Sequence, residues 1–107
     1  MSYKIMRLML FFDLPVKTKK DRRAYANFRK DLIRKGYMMI QYSVYVKIFA
    51  NRDSATNHIK ILKRDLPKKG QIRIMLVTEK QYAKMEIILG GISMQEQHLT
   101  SEVLTVL

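Results

Sequence analysis

Asp13 is the residue whose context most invites chemistry. It closes the apolar run Arg7-Leu8-Met9-Leu10-Phe11-Phe12, and Leu14-Pro15 then breaks the pattern. A short apolar run closed by a turn signal reads as a buried strand. The carboxylate therefore stands at a strand's C-terminal edge, where open α/β-type sheets gather ligands. A carboxylate there can ligate a hard cation such as Mg2+, whose remaining coordination positions are filled by water and phosphate oxygens. A strand-end Asp can equally cap a helix or form a turn, and spacing alone leaves both roles open. The next acids, Asp21 and Asp31, fall on the following segment, and His58 and His98 lack ligand spacing.

The second chemistry is phosphate binding. Lys17, Lys19, Lys20, Arg22, Arg23, Arg29, Lys30, Arg34 and Lys35 crowd one segment against only Asp21 and Asp31. Lys60, Lys63, Arg64, Lys68, Lys69 and Arg73 form a second group against Asp65. The chain of 107 residues carries 21 Lys and Arg against 9 Asp and Glu, a net charge of +12. Clustered cations of one sign favour a polyanionic partner, nucleic acid before an acidic membrane surface. With no base-reading device interleaved, the expected contacts are to phosphates, sequence-independent and salt-sensitive. Lys17, Lys19, Lys20, Arg22, Arg23, Arg29, Lys30, Lys68 and Lys69 are the predicted nucleic-acid contacts. Cysteine is absent, which excludes disulfides and thiolate zinc sites. The N-terminal apolar run is too short for a secretory signal or a membrane span, so a cytoplasmic protein is expected.

These residues need elements to hold them. The apolar pattern predicts a strand over Ile5 to Phe12 and a helix over Lys17 to Lys35, with Thr18 as N-cap and Gly36 as stop. Tyr37 to Ala50 is too long for one strand and is expected to bend near Gln41-Tyr42-Ser43. A second helix, capped by Asn51 or Asp53, carries Ala55, Ile59, Leu62 and Leu66 up to Pro67. Gln71 to Thr78 is a strand, Glu79 to Met85 one helical turn, and Ile87-Ile88-Leu89 a short added strand. Residues 1–91 would form the domain and 92–107 a tail with a strand near Val103 to Val106. The order is that of an α+β, ferredoxin-like βαββαβ sandwich with an appended C-terminal strand.

Several of these strands are apolar at both parities, so the sheet face away from the helices also needs cover. A second copy is the simplest cover, and a homodimer is expected; the tail folding back is the alternative. A two-fold axis could bring both copies of Asp13 to one cleft, where a bridging Mg2+ could polarise a phosphodiester or water. Arg7, inside the apolar strand, either faces that cleft or snorkels at an edge. A plain RNA-binding module of the same fold, using Tyr42 or Tyr45, is a further alternative.

The chain resembles the CRISPR-associated protein two family over about residues 4–90, closest to members from type II-A systems. The matching features are Phe12-Asp13-Leu14-Pro15, the basic first helix, Gln41-Tyr42-Ser43-Val44-Tyr45, Pro67-Lys68-Lys69-Gly70 and Val77-Thr78-Glu79-Lys80-Gln81-Tyr82. The resemblance implies a homodimeric ferredoxin-like fold, with Asp13 at the family's metal-binding and catalytic position for Mg2+ or another divalent cation. It implies two roles. One is a metal-dependent endonuclease acting on RNA or DNA. The other is a non-catalytic bridge between integrase-subunit dimers during spacer acquisition, holding double-stranded DNA. One carboxylate per chain and two basic clusters favour the bridge, with the tail as candidate docking segment for the integrase subunit.

Overall fold

The computed structural model describes residues 4–91 together with 103 and 104. The elements are β1 (Met6–Asp13), α1 (Lys19–Arg34), β2 (Met38–Gln41), β3 (Val44–Phe49), α2 (Arg52–Leu62), β4 (Gln71–Thr78) and α3 (Glu79–Ala83). The four strands form one antiparallel sheet in the order β2-β3-β1-β4. This is the expected α+β, ferredoxin-like arrangement. Among the described residues no helix is long and apolar enough to cross a membrane.

Local chemistry sets the boundaries. Thr18 accepts from the Asp21 amide at 3.0 Å while the Asp21 carboxylate accepts from the Thr18 amide at 3.3 Å, a closed capping box at the start of α1. Gly36, at φ +96, takes the left-handed conformation that stops the helix. Ser43, at φ 65, makes the turn between β2 and β3 without a glycine. Asn51 caps α2 through a 2.8 Å bond to the Ser54 amide. That helix ends at Leu62, short of the expected Leu66. Pro67 disfavours helical backbone at the residue before it, and Leu66 is left exposed.

Strand alternation builds two apolar layers. Leu8, Leu10 and Phe12 face the helices, in one core with Phe28, Leu32, Tyr37, Tyr45, Phe49, Ala55 and Leu62. Met9, Met38 and Val46 form a second buried cluster on the other face, with Tyr82 of α3 packed against it. The expectation that this face stands bare for a second copy needs adjustment, because its centre is already buried within one chain. Large apolar side chains open to solvent include Ile74 and Met75 on β4 and Met85, Ile87, Ile88 and Leu89 beyond it, besides Val16, Ile33, Tyr42, Ile61 and Leu66 elsewhere. Among the described residues β4 is also a sheet edge.

One expected strand is not found, and a second falls largely outside the described residues. Residues 85–91 are irregular, so Ile87-Ile88-Leu89 forms no strand; among the described residues it has no strand partner to complete its backbone hydrogen bonds. The appended C-terminal strand near residues 103–106 and the tail over 92–107 lie largely outside the described residues. Val103 and Leu104, which are described, are helical.

Candidate functional site

Phe12 and Asp13 are adjacent residues aimed at opposite faces. The Phe12 ring drops into the helix-side core, 5.6 Å from the Tyr25 ring, 5.3 Å edge-on from Phe28 and 5.6 Å from Tyr45. This aromatic anchor fixes the end of β1 against α1. Asp13, one residue on, is turned outward and exposed. Gly70 closes the backbone around it. A Cβ at Gly70 would come within 2.6 Å of the Asp13 carbonyl oxygen and 2.6 Å of Leu14 Cδ2, and its φ is +95. Only glycine permits that approach, so the end of the 63–70 loop is seated directly on the strand edge.

Asp13 opens onto a shallow pocket of about 220 Å3 with Phe11, Ser43, Val44, Gln71 and Arg73. Gln71 is its partner in the β1–β4 register, and Arg73 pairs with Phe11 on the same face. Arg73 belongs to the second basic group of the sequence, but neither it nor Gln71 is among the predicted site residues. The signal was available in the period-2 alternation of β4, which puts residues 71, 73 and 75 on one face.

The Asp13 carboxylate has no hydrogen bond or ion pair among the described residues. Asp21 and Asp31 are engaged elsewhere. Asp21 completes the capping box and lies 3.8 Å from Lys69, and Asp31 pairs with Lys35 at 2.8 Å. Hydrogen bonding from the Thr18 amide holds the Asp21 carboxyl below its ordinary range, with Lys69 and Arg22 acting in the same direction. No group of three or more potential metal ligands occurs among the described residues. Among the described residues at this strand edge, Asp13 supplies the one unengaged carboxylate, a hard oxygen donor of the kind a divalent cation accepts.

The predicted phosphate contacts divide. Lys20, Lys68 and Lys69 share a cleft of about 190 Å3 with Asp21, the acid beside Lys69, and with Leu14 and Pro15, the two residues after Asp13. Lys30 lines a neighbouring groove of about 400 Å3 together with Arg34. Lys17, Lys19, Arg23 and Arg29 are exposed along the same loop and helix. Arg22 is also exposed, but its guanidinium is committed to the carbonyls of Val16 (3.2 Å) and Lys17 (3.0 Å). It closes the turn into α1, so its substitution would disturb the backbone as well as the charge.

Arg7 neither faces a cleft nor snorkels. It is 2% exposed and forms a two-pronged pair with Glu79, Nε to Oε2 at 2.6 Å and Nη2 to Oε1 at 2.8 Å. Its guanidinium also lies 4.0 Å from the Tyr82 ring centroid. Tyr45, offered as a base-stacking residue, is 1% exposed beneath the helices and cannot meet a base. Tyr42 is open to solvent.

Comparison with known proteins follows the same boundaries. The family model described as CRISPR associated protein Cas2 matches residues 6–85. A protein of Acidovorax ebreus is 46% identical over 96 residues, covering 90% of this chain and 94% of the relative. One from Treponema denticola is 46% identical over 102 residues, covering 95% of this chain and 100% of the relative. One from Ligilactobacillus salivarius is 49% identical over 85 residues, covering 79% and 84%. Each of these relatives bears the name CRISPR-associated endoribonuclease Cas2.

Proposed function

The chain belongs to the CRISPR-associated protein Cas2 family, and from that premise we propose that it is a dimeric nucleic-acid-binding scaffold of CRISPR adaptation. In this reading it grips duplex DNA by its phosphates and bridges dimers of the integrase subunit. The observation that carries the reading is the cleft where Lys20, Lys68 and Lys69 converge. Cations from α1 and from the 63–70 loop, distant in sequence, meet at one end of the sheet beside exposed Lys17, Lys19 and Arg23. Such a surface binds backbone charge with a strong salt dependence and little sequence preference. Dimerisation is supported by the edge of β4, unpaired among the described residues, and by the exposed apolar residues on and after it, since open apolar edges invite pairing.

A second reading, a metal-dependent endonuclease, is favoured by the relatives' name and by the free carboxylate of Asp13. In a dimer, Asp13 from each copy would hold one Mg2+ or a similar divalent cation. The cation would supply Lewis-acid activation of a phosphodiester or of water. Of the chain's own residues, Gly70 seats the strand edge, Phe12 anchors it, and Arg73 offers positive charge to a phosphate in the same pocket.

The two readings separate on two measurements. Duplex binding across a salt series should lose affinity and slope in Lys68→Glu/Lys69→Glu, and should stay unchanged in Asp13→Ala. An unaltered slope in the double variant would sink the phosphate-gripping cleft. Cleavage of RNA and DNA by wild type and Asp13→Ala, each with Mg2+ and with chelator, tests the second reading. Activity that survives both chelator and the Asp13 variant assigns cleavage to another source.

A further inference from the structure

Lys47 is an unusual residue for the place it occupies. It lies on β3 between Tyr45 and Phe49, paired with Leu8, so alternation turns it toward the helix-covered face. Its neighbours on that side are core residues, and it is half-buried. Its ammonium is 5.4 Å from the Phe49 ring centroid and 2.6 Å from where a Cβ at Gly36 would stand. Gly36 thus leaves the space that the ammonium occupies. Among the described residues no carboxylate lies within ion-pair distance of it.

Apart from Asp31, which pairs with Lys35 at 2.8 Å, the surrounding groups carry the same sign or none. His58, on α2, packs its ring 5.1 Å from the same Phe49 and bonds through Nε2 to the Tyr37 hydroxyl at 2.7 Å. Lys35 adjoins Gly36, and its partner Asp31 is the acid at this corner. Burial pulls the Lys47 ammonium below the ordinary lysine range. Burial, then the charges of Lys47 and Lys35, hold His58 below the ordinary histidine range. Gathering like charges on a half-buried aromatic floor costs stability. A bound anion would offset that cost.

We propose that Lys35, Lys47 and His58 form a phosphate-binding site at the corner between the C-terminus of α1, β3 and α2. The ligand class is a phosphate group, free or within a nucleic-acid backbone. Its oxygens would accept from the two ammonium groups and favour the protonated imidazole. The site is separate from the Asp13 edge: Leu8, opposite Lys47, lies five residues back along β1, on the order of 17 Å. It uses one chain only, so it depends neither on dimerisation nor on the metal.

His58 reports on the site directly. The chain has two histidines, and His98 serves as internal reference. The imidazole resonances of His58 would be followed by NMR through a pH series, with inorganic phosphate or a short DNA duplex, against chloride at equal ionic strength. A saturable rise in the His58 pKa with either probe is expected, with about tenfold weaker binding in Lys47→Gln, the effect of one charged hydrogen bond. Lys35→Gln, a surface change, should weaken it less while leaving the fold intact. A response to inorganic phosphate identifies a free-anion site, and a response to duplex alone a backbone contact; both support the proposal. No response to either probe, or an undiminished one in folded Lys47→Gln, overturns it. The phosphate response needs neither the Asp13 edge nor the Lys68 and Lys69 cleft, so the site and the proposed function can fail independently.

Discussion

Arg7 and Asp13 interrupt the same strand, six positions apart and on the same face, yet the fold treats them in opposite ways. Arg7 is sealed between Glu79 and Tyr82 at one end. Asp13 stands free at the other, where its backbone is clamped by Gly70 but its carboxylate is left without a partner. A buried charge must be paired and hydrogen-bonded, whereas a charge kept at an exposed edge remains available to a ligand. The contrast teaches that burial and partners, more than residue type, divide charges committed to the fold from charges left open to a ligand. Arg7 ties β1 to the segment after β4, and Asp13 is held in position and left unspent.

The largest way to break the comparison is Arg7→Ala. It strands Glu79, which is only 22% exposed, and should cost about 3 kcal/mol of stability by urea denaturation. A loss within experimental error would mean that the pair is no lock. Gly70→Ala comes next, at about 2 kcal/mol, because it combines a left-handed backbone with a collision at Asp13 and Leu14. Any metal or phosphodiester dependence of Asp13 should fall with it. Glu79→Gln leaves the buried Arg7 guanidinium with one acceptor oxygen from this side chain and without the Glu79 counter-charge, and a loss of about 2 kcal/mol is expected in the same titration. Asp13→Asn should be the mildest, within about 0.5 kcal/mol of wild type, since no described residue relies on that carboxylate. A larger change in melting would reassign Asp13 as a structural residue.

Much of the fold was legible in the sequence. Thr18, Gly36 and Asn51 mark helix ends by chemistry that operates over a few residues. β4 runs from Gln71 to Thr78 as its alternation predicts. Apolarity alone cannot say whether Leu66 or Ile87-Ile88-Leu89 has a partner: Pro67 disfavours helix at Leu66, and among the described residues no neighbouring strand completes the second run. For the site, Asp13 and the lysines were legible as types. Their grouping was not, because Lys20 meets Lys68 and Lys69 only through the seating of Gly70 on β1. Arg22 gave no sequence sign that it is committed to its own loop.

The sequence by itself determined the element order, the caps, the excess of positive charge and the placing of an acid at a strand end. These follow from local periodicity, capping and composition. Only the tertiary structure decided which charges are spent. Arg7 and Glu79 are 72 residues apart, and Lys47, Gly36 and His58 come from three different elements. Partnership across such separations depends on strand register and helix seating, which the packing of the whole core sets.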